Sequence, residues 1–207
     1  MMFDWPIIIP TFLAASVEWV EAFTIVLAVS LSIGWRGATQ AVLAALVVLA
    51  VMTVITGGVI HLGIPLSWLR FATGVLLLLF GVRWFAKAIA RAAGLKALHD
   101  EEREFAHIRI ELSASDRKAA WVIAFKGVLL EGFEVWLIVS GLGIASGTWT
   151  SGAGAAGAAL LVVAIVGLCM QAPLRRVPEN AIKFFVGAMI VAFGIFWTME
   201  VLIFTEI

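Results

Sequence analysis

The sequence predicts an all-α integral membrane protein whose six transmembrane helices form two inverted-topology three-helix repeats. Three observations lead there. Of the 207 residues, 63% are apolar and 14% charged, with a mean hydropathy of +1.09, against about 45–50% and about 25% in soluble domains. Six runs approach or exceed the roughly 20 apolar residues a spanning helix needs. The chain also matches itself at a displacement of 113 residues, with Glu, Pro, Trp and Phe-Gly recurring at that one offset.

The runs cover residues 7–33, 38–60, 66–88, 119–144, 154–172 and 181–204. Turn and breaker residues part most neighbours: Gly34 with Gly37, Gly63 with Pro65, Gly147 with Gly152, and Pro173 with Pro178. The third and fourth runs are joined instead by the charged stretch 91–118. Within it, residues 95–112 have a loosely amphipathic helical pattern, with Leu95, Leu98, Phe105, Ile108 and Leu112 among charges. That pattern fits a helix on the membrane surface and a solvated linker helix equally. The expected units are therefore residues 1–94 as the first repeat, 95–118 as a charged cytoplasmic connection, and 119–207 as the second repeat.

The N-terminal Met1-Met-Phe-Asp4-Trp5-Pro6 lacks the positive region of a secretory signal, so the first run is expected to be a retained helix. Placing the 91–118 connection in the cytoplasm puts Arg36, Arg83, Lys87, Arg175, Arg176 and Lys183 there too and leaves Arg70 on the far side, as the positive-inside rule requires. Both termini are then expected outside the cytoplasm of a bacterial inner membrane. Trp5, Trp35, Trp68 and Trp149 suit interfacial positions. Cys169 is the lone cysteine and excludes an internal disulfide.

In the self-match, Glu18 and Glu21 fall on Glu131 and Glu134, Phe12 on Phe125, Gly34 on Gly147 and Pro65 on Pro178. Phe71, Gly74, Phe80, Gly81 and Trp84 fall on Phe184, Gly187, Phe193, Gly194 and Trp197, and Arg70 falls on Lys183. Each unit holds an odd number of spans, so the second enters the membrane from the opposite side. That is the architecture of many secondary transporters, with the substrate site at the midplane where the repeats meet.

The acids Glu18, Glu21, Glu131 and Glu134 lie near the middles of the first and fourth runs, where ionised side chains are rare and usually functional. Residues three apart share a helix face, and the duplication lets both acidic faces meet. Four ionised carboxylates there would repel; proton uptake or a bound cation relieves this. A site able to do both would exchange a metal for protons. Carboxylate oxygens are hard ligands suited to Mg²⁺, Ca²⁺, Mn²⁺ and iron. The bland reading is that the acids are protonated and only hydrogen-bond helix to helix.

At Glu18-Trp-Val-Glu21 and Glu131-Gly-Phe-Glu134 the chain resembles the iron permease family, which includes oxidase-coupled iron transporters and bacterial iron-uptake permeases and carries an R-E-G-L-E-type motif in its first and fourth helices. The apolar continuations, Glu21-Ala-Phe-Thr-Ile-Val-Leu and Glu134-Val-Trp-Leu-Ile-Val, are also similar. The resemblance implies a role in iron transport for all four glutamates. The family's arginine is replaced by Val17 and Leu130, and its glycine is kept at Gly132 but replaced by Trp19 in the first copy. Without those arginines the cluster is expected to depend more on protons or a bound cation, and a divalent ion such as Fe²⁺ or Mn²⁺ becomes at least as plausible as Fe³⁺.

The expected function is secondary transport of a hard metal cation through a midplane four-glutamate site, coupled to protons. The cargo would be Fe²⁺, Fe³⁺ or Mn²⁺, with no organic cofactor. Glu200, His61 and Thr24 are candidate accessory residues, each with a plainer reading as an interfacial carboxylate, a loop histidine and a helix-bonded hydroxyl. His99 and His107, among Asp100, Glu101, Glu102 and Glu104, suggest a weak cytoplasmic metal site or a solvated helix, and Lys126 either snorkels or replaces a missing arginine. Expected partners are the bilayer, metal ions and protons, with a homo-oligomer left open. The sequence carries no basic stripe for nucleic acid, and no nucleophile–base set or nucleotide motif that would indicate an enzyme. The rival readings are a non-transporting membrane scaffold with structural, protonated acids, and a proton or sodium channel.

Overall fold

Glycine sets the first break in the chain. α1 (Trp5–Ile60) is a long helix in which Gly34 leaves helical geometry, at φ 81° and ψ 158°, a region essentially confined to glycine that costs another residue about 1–3 kcal/mol. The legs on either side, residues 5–33 and 35–60, fold back on each other: Trp19 and Leu49, at equal distances from Gly34, both border Gly132. α2 (Leu66–Ala92) is closed by a turn with Gly94 at φ 72°. α3 (Glu101–Ser113), α4 (Arg117–Ser146), α5 (Trp149–Met170) and α6 (Glu179–Phe204) follow. Asp116 caps α4 by accepting the Ala119 N–H at 2.7 Å, and Gly147 ends it at φ 71°. The structure, a computed structural model, describes residues 4–60, 66–96, 100–113, 116–170 and 179–204, and all the long elements among them are helical.

Four helices are long and apolar enough to cross a membrane: α1 over Trp5–Thr56, α2 over Ser67–Ala92, α5 over Trp149–Cys169 and α6 over Glu179–Ile203. α4, whose apolar stretch is interrupted by Lys126, Glu131 and Glu134, is not among them. Large apolar side chains such as Val54, Phe185 and Leu79 stand outward, where a soluble protein would carry charge. The chain is thus a helical membrane protein. All six apolar runs lie in helices as far as they are described, with two adjustments. Gly37 and Gly152 do not break helices but sit inside them, because a single positive-φ glycine, Gly34 or Gly147, makes each turn. The breakers Gly63, Pro65, Pro173 and Pro178 lie outside the described residues.

The helices pair off. The first leg of α1 lies along α4, where Gly127 lets Ile25 approach, and Trp19 Nε1 donates to the Ala156 carbonyl of α5 at 3.3 Å. α2 lies along α6 through four glycines. A Cβ on Gly74 would stand 2.9 Å from Thr198 N, and one on Gly187 3.0 Å from Phe85 N; a Cβ on Gly81 would stand 2.8 Å from Val191 N, and one on Gly194 2.6 Å from Leu78 N. Small residues let membrane helices approach closely in this way. The two pairs meet over a cluster including Ile7, Ala14, Leu77, Trp84, Ile138 and Ile190.

α3 settles the reading of the charged connection. Ile108 and Leu112 are buried beside Ala28, Val29, Ala38 and Ala41 of α1 and Ala120 and Ala124 of α4. Its apolar stripe therefore covers the Gly34 turn of α1 instead of facing lipid or lying wholly solvated. Leu95 falls in the turn after α2 and is exposed; Leu98 lies outside the described residues.

Candidate functional site

Each acidic pair sits in the middle of a helix because the residues around it are helix-forming and apolar, and the pairing of α1 with α4 brings the two sets together. Glu18 of α1 and Glu131 and Glu134 of α4 each offer a carboxylate oxygen, and the three oxygens lie within 4.8 Å of one another. A cation held at about 2.1–2.4 Å spans two opposed ligand oxygens up to twice that distance apart, and three oxygens this close can close on one ion with a small inward movement of their side chains. Glu18 is fully buried, and neither of its carboxylate oxygens has a hydrogen bond of good geometry. Glu131 and Glu134 are half-buried.

Glu21 is close by but is held differently. Its carboxylate accepts a hydrogen bond from Lys183 of α6, whose Nζ also stands 3.3 Å from Glu18 Oε1 and 3.1 Å from Glu179 Oε1. Lys183 is itself buried and lies over the Trp84 ring, 5.3 Å from its centroid. Trp84 Nε1 donates to Glu134 Oε2 at 3.2 Å. Arg91 of α2 pairs with Glu179 at 3.0 Å. α2 and α6 thus supply one ammonium and one indole to the acids of α1 and α4.

This corrects the expectation that the cluster lacks a compensating charge. Lys183 stands beside the acids in space although it is 162 residues from Glu21 in the chain. It is neither of the two positions, Val17 and Leu130, that correspond to the motif arginine. Its signal in the sequence was the pairing of Arg70 with Lys183, and of Trp84 with Trp197, at the repeat offset.

The accessory candidates fare unevenly. Glu200 pairs with Arg70 at 3.5 Å and is not one of the converging acids. The Thr24 hydroxyl donates to the Val20 carbonyl of its own helix at 3.1 Å, the plainer reading. His61 lies outside the described residues, as does His99. His107 is exposed on α3, and the one grouping of three or more metal-ligand side chains among the described residues is Glu18, Glu131 and Glu134. Lys126 is exposed on α4. Ser140 is buried with no hydrogen bond for its hydroxyl. The chain matches no protein-family model, and neither a curated protein nor a solved structure is significantly similar to it.

Proposed function

We propose that this protein is a secondary transporter of a hard metal cation, Fe²⁺, Fe³⁺ or Mn²⁺, built from two inverted three-helix repeats. The observation that carries the reading is the convergence of Glu18, Glu131 and Glu134, two acids from one copy of the motif and one from the other, with carboxylate oxygens within 4.8 Å of one another. Six spans follow if the two legs of α1 and the charged α4 each cross the bilayer with α2, α5 and α6. The Lys/Arg distribution then puts both termini outside a bacterial inner membrane. The reciprocal glycine contacts of α2 and α6 support the repeat, since each partner of Gly74 and Gly81 has its counterpart 113 residues away against Gly187 and Gly194.

The charges suggest how ion and proton are coupled. Four carboxylates against one ammonium leave three formal negative charges at the site. A divalent cation offsets two and a proton the third; when the cation leaves, further protons restore the balance. The resemblance to iron permeases agrees with an iron-type cargo.

The test is flux. Purified protein in liposomes should take up Mn²⁺ or Fe²⁺ with protons moving in the opposite sense. Glu131→Gln or Glu134→Gln should reduce the flux more than about tenfold, the scale of lost metal-site interactions. If both variants transport normally, the site assignment is wrong.

One observation favours a second reading. Lys183 contacts three carboxylates, so the cluster is also consistent with a structural role in a non-transporting membrane subunit. On that reading the unmodified protein binds no Mn²⁺.

A further inference from the structure

The acid cluster is lopsided, and the repeat shows in what sense. Lys183 lies over Trp84 at 5.3 Å and reaches Glu18 and Glu21, while Trp84 Nε1 is spent on Glu134. The equivalents of Lys183, Trp84 and Glu134 at the 113-residue offset are Arg70, Trp197 and Glu21. Arg70 lies over Trp197 in the same way, at 5.2 Å. There the likeness stops. Arg70 turns to Glu200, where the two side chains are 32% and 31% exposed, whereas those of Lys183 and Glu18 are 10% and 0% exposed. Trp197 Nε1 is buried and makes no hydrogen bond.

The contacts between α2 and α6 do not share this asymmetry. Their paired approaches, 2.9 against 3.0 Å and 2.8 against 2.6 Å, nearly match. The difference therefore lies in how the α2–α6 pair sits on α1 and α4. Its α2 side presses Leu77 against Gly141 of α4, where an added Cβ would stand 2.8 Å from Leu77 Cγ.

We infer that Lys183 and Arg70 are alternating counter-cations of the acid cluster. The structure holds the state with Lys183 docked. Tilting the α2–α6 pair as one body on α1 and α4 exchanges it for a state in which Arg70 lies on Glu131 and Glu134 and Trp197 Nε1 donates to Glu21. The inference rests on the proposed ion site and names the groups that keep it compensated while no ion is bound. Arg70 rests on Glu200 in this state, and Lys183 already touches Glu179, which Arg91 also holds, so each cation keeps an acid partner away from the cluster. Those two acids are not related by the repeat, since their counterparts are Lys87 and Leu66. What alternates is which of the two is docked. An arriving metal ion competes with whichever cation is in place.

The experiment reports the state directly. In full-length protein with Cys169→Ser, the pair Leu77→Cys and Gly141→Cys lies within ordinary disulfide reach of about 3.5–4.5 Å between Cβ atoms. Its rate of disulfide formation under mild oxidation, in liposomes without metal, measures occupancy of the Lys183-docked state. Arg70→Gln should raise that rate, and Lys183→Gln and Glu200→Gln should lower it, each by about fivefold or more, the scale of ordinary conformational coupling. Lys183→Arg should restore it. A structural role for these residues would not give opposite signs. Shifts of one sign, or none, in the variants that fold overturn the exchange, and Arg70→Gln with Glu200→Gln decides it if Lys183→Gln fails to fold. Calorimetric titration of the unmodified protein and Glu131→Gln with Mn²⁺ is a separate readout. Absent binding to the unmodified protein, or equal binding in Glu131→Gln, overturns the metal reading, whereas the disulfide rates alone decide the exchange.

Discussion

Glu18 sits at the centre of an apolar helix, fully buried, with oxygens that no hydrogen bond satisfies. A charge at mid-helix in a bilayer costs about 2.5–3.5 kcal/mol even on insertion scales, so its neighbours decide whether it can be ionised. Lys183 of α6 brings its ammonium to 3.3 Å from Glu18, while the Trp84 indole of α2 donates to the neighbouring Glu134. Trp84→Phe tests the indole's part: it keeps a ring beneath Lys183 and removes the donor to Glu134. A hydrogen bond to a charged group contributes about 1.5–3 kcal/mol. The variant should melt at a lower temperature in detergent and bind Mn²⁺ with altered affinity; if both quantities match the unmodified protein, the bond contributes nothing. The acids were legible because a carboxylate in an apolar run is conspicuous in one dimension. Lys183 was not, since near a run's end it reads as an ordinary interfacial lysine, and its ammonium meets Glu21 only through the packing of α6.

Glycine is the residue that shapes the elements, in two distinct ways. Gly34 and Gly147 take positive φ and turn the chain between helices. Gly74, Gly81, Gly187 and Gly194 stay helical and let α2 and α6 touch backbone to backbone. Gly194→Val would place its Cβ 2.6 Å from Leu78 N and 2.9 Å from Gly74 O, atoms that cannot swing aside. Overpacking of this kind costs about 1–3 kcal/mol, so the melting temperature should fall. Gly154→Ala, with nothing within 4 Å of the added atom, should leave it unchanged or raise it slightly, because alanine favours a helix interior by about 1 kcal/mol. Equal melting of the two variants would refute the close-packing account. Gly37 and Gly152 have the sequence signature of breakers yet are helical, because a glycine permits a turn without compelling one. The apolar stripe of α3 was legible, but the surface it covers was not: Ile108 and Leu112 needed the Gly34 turn of α1 beside them.

For the molecule as a whole, an ion held between α1 and α4 ties the halves of the chain together and should stabilise them jointly. A ligand that binds the folded state alone adds RT ln(1 + [L]/Kd), about 2.7 kcal/mol at 100 times Kd. Saturating Mn²⁺ should therefore raise the melting temperature of the unmodified protein and leave those of Glu18→Gln and Glu131→Gln unmoved; an equal shift in all three would mean that the ion binds elsewhere. Membrane class, the helical runs, the acidic pairs and the 113-residue self-match are all written along the chain, because hydropathy and spacing act locally and a helix carries its own backbone hydrogen bonds. Which cation faces the acids, which three acids converge and which pair of helices is close-packed depended on contacts between residues far apart in the chain. Such contacts follow from the way glycine surfaces and bulky side chains lock helices together in three dimensions, and for that reason Lys183, an inconspicuous lysine in the sequence, stands beside Glu18 in the folded protein.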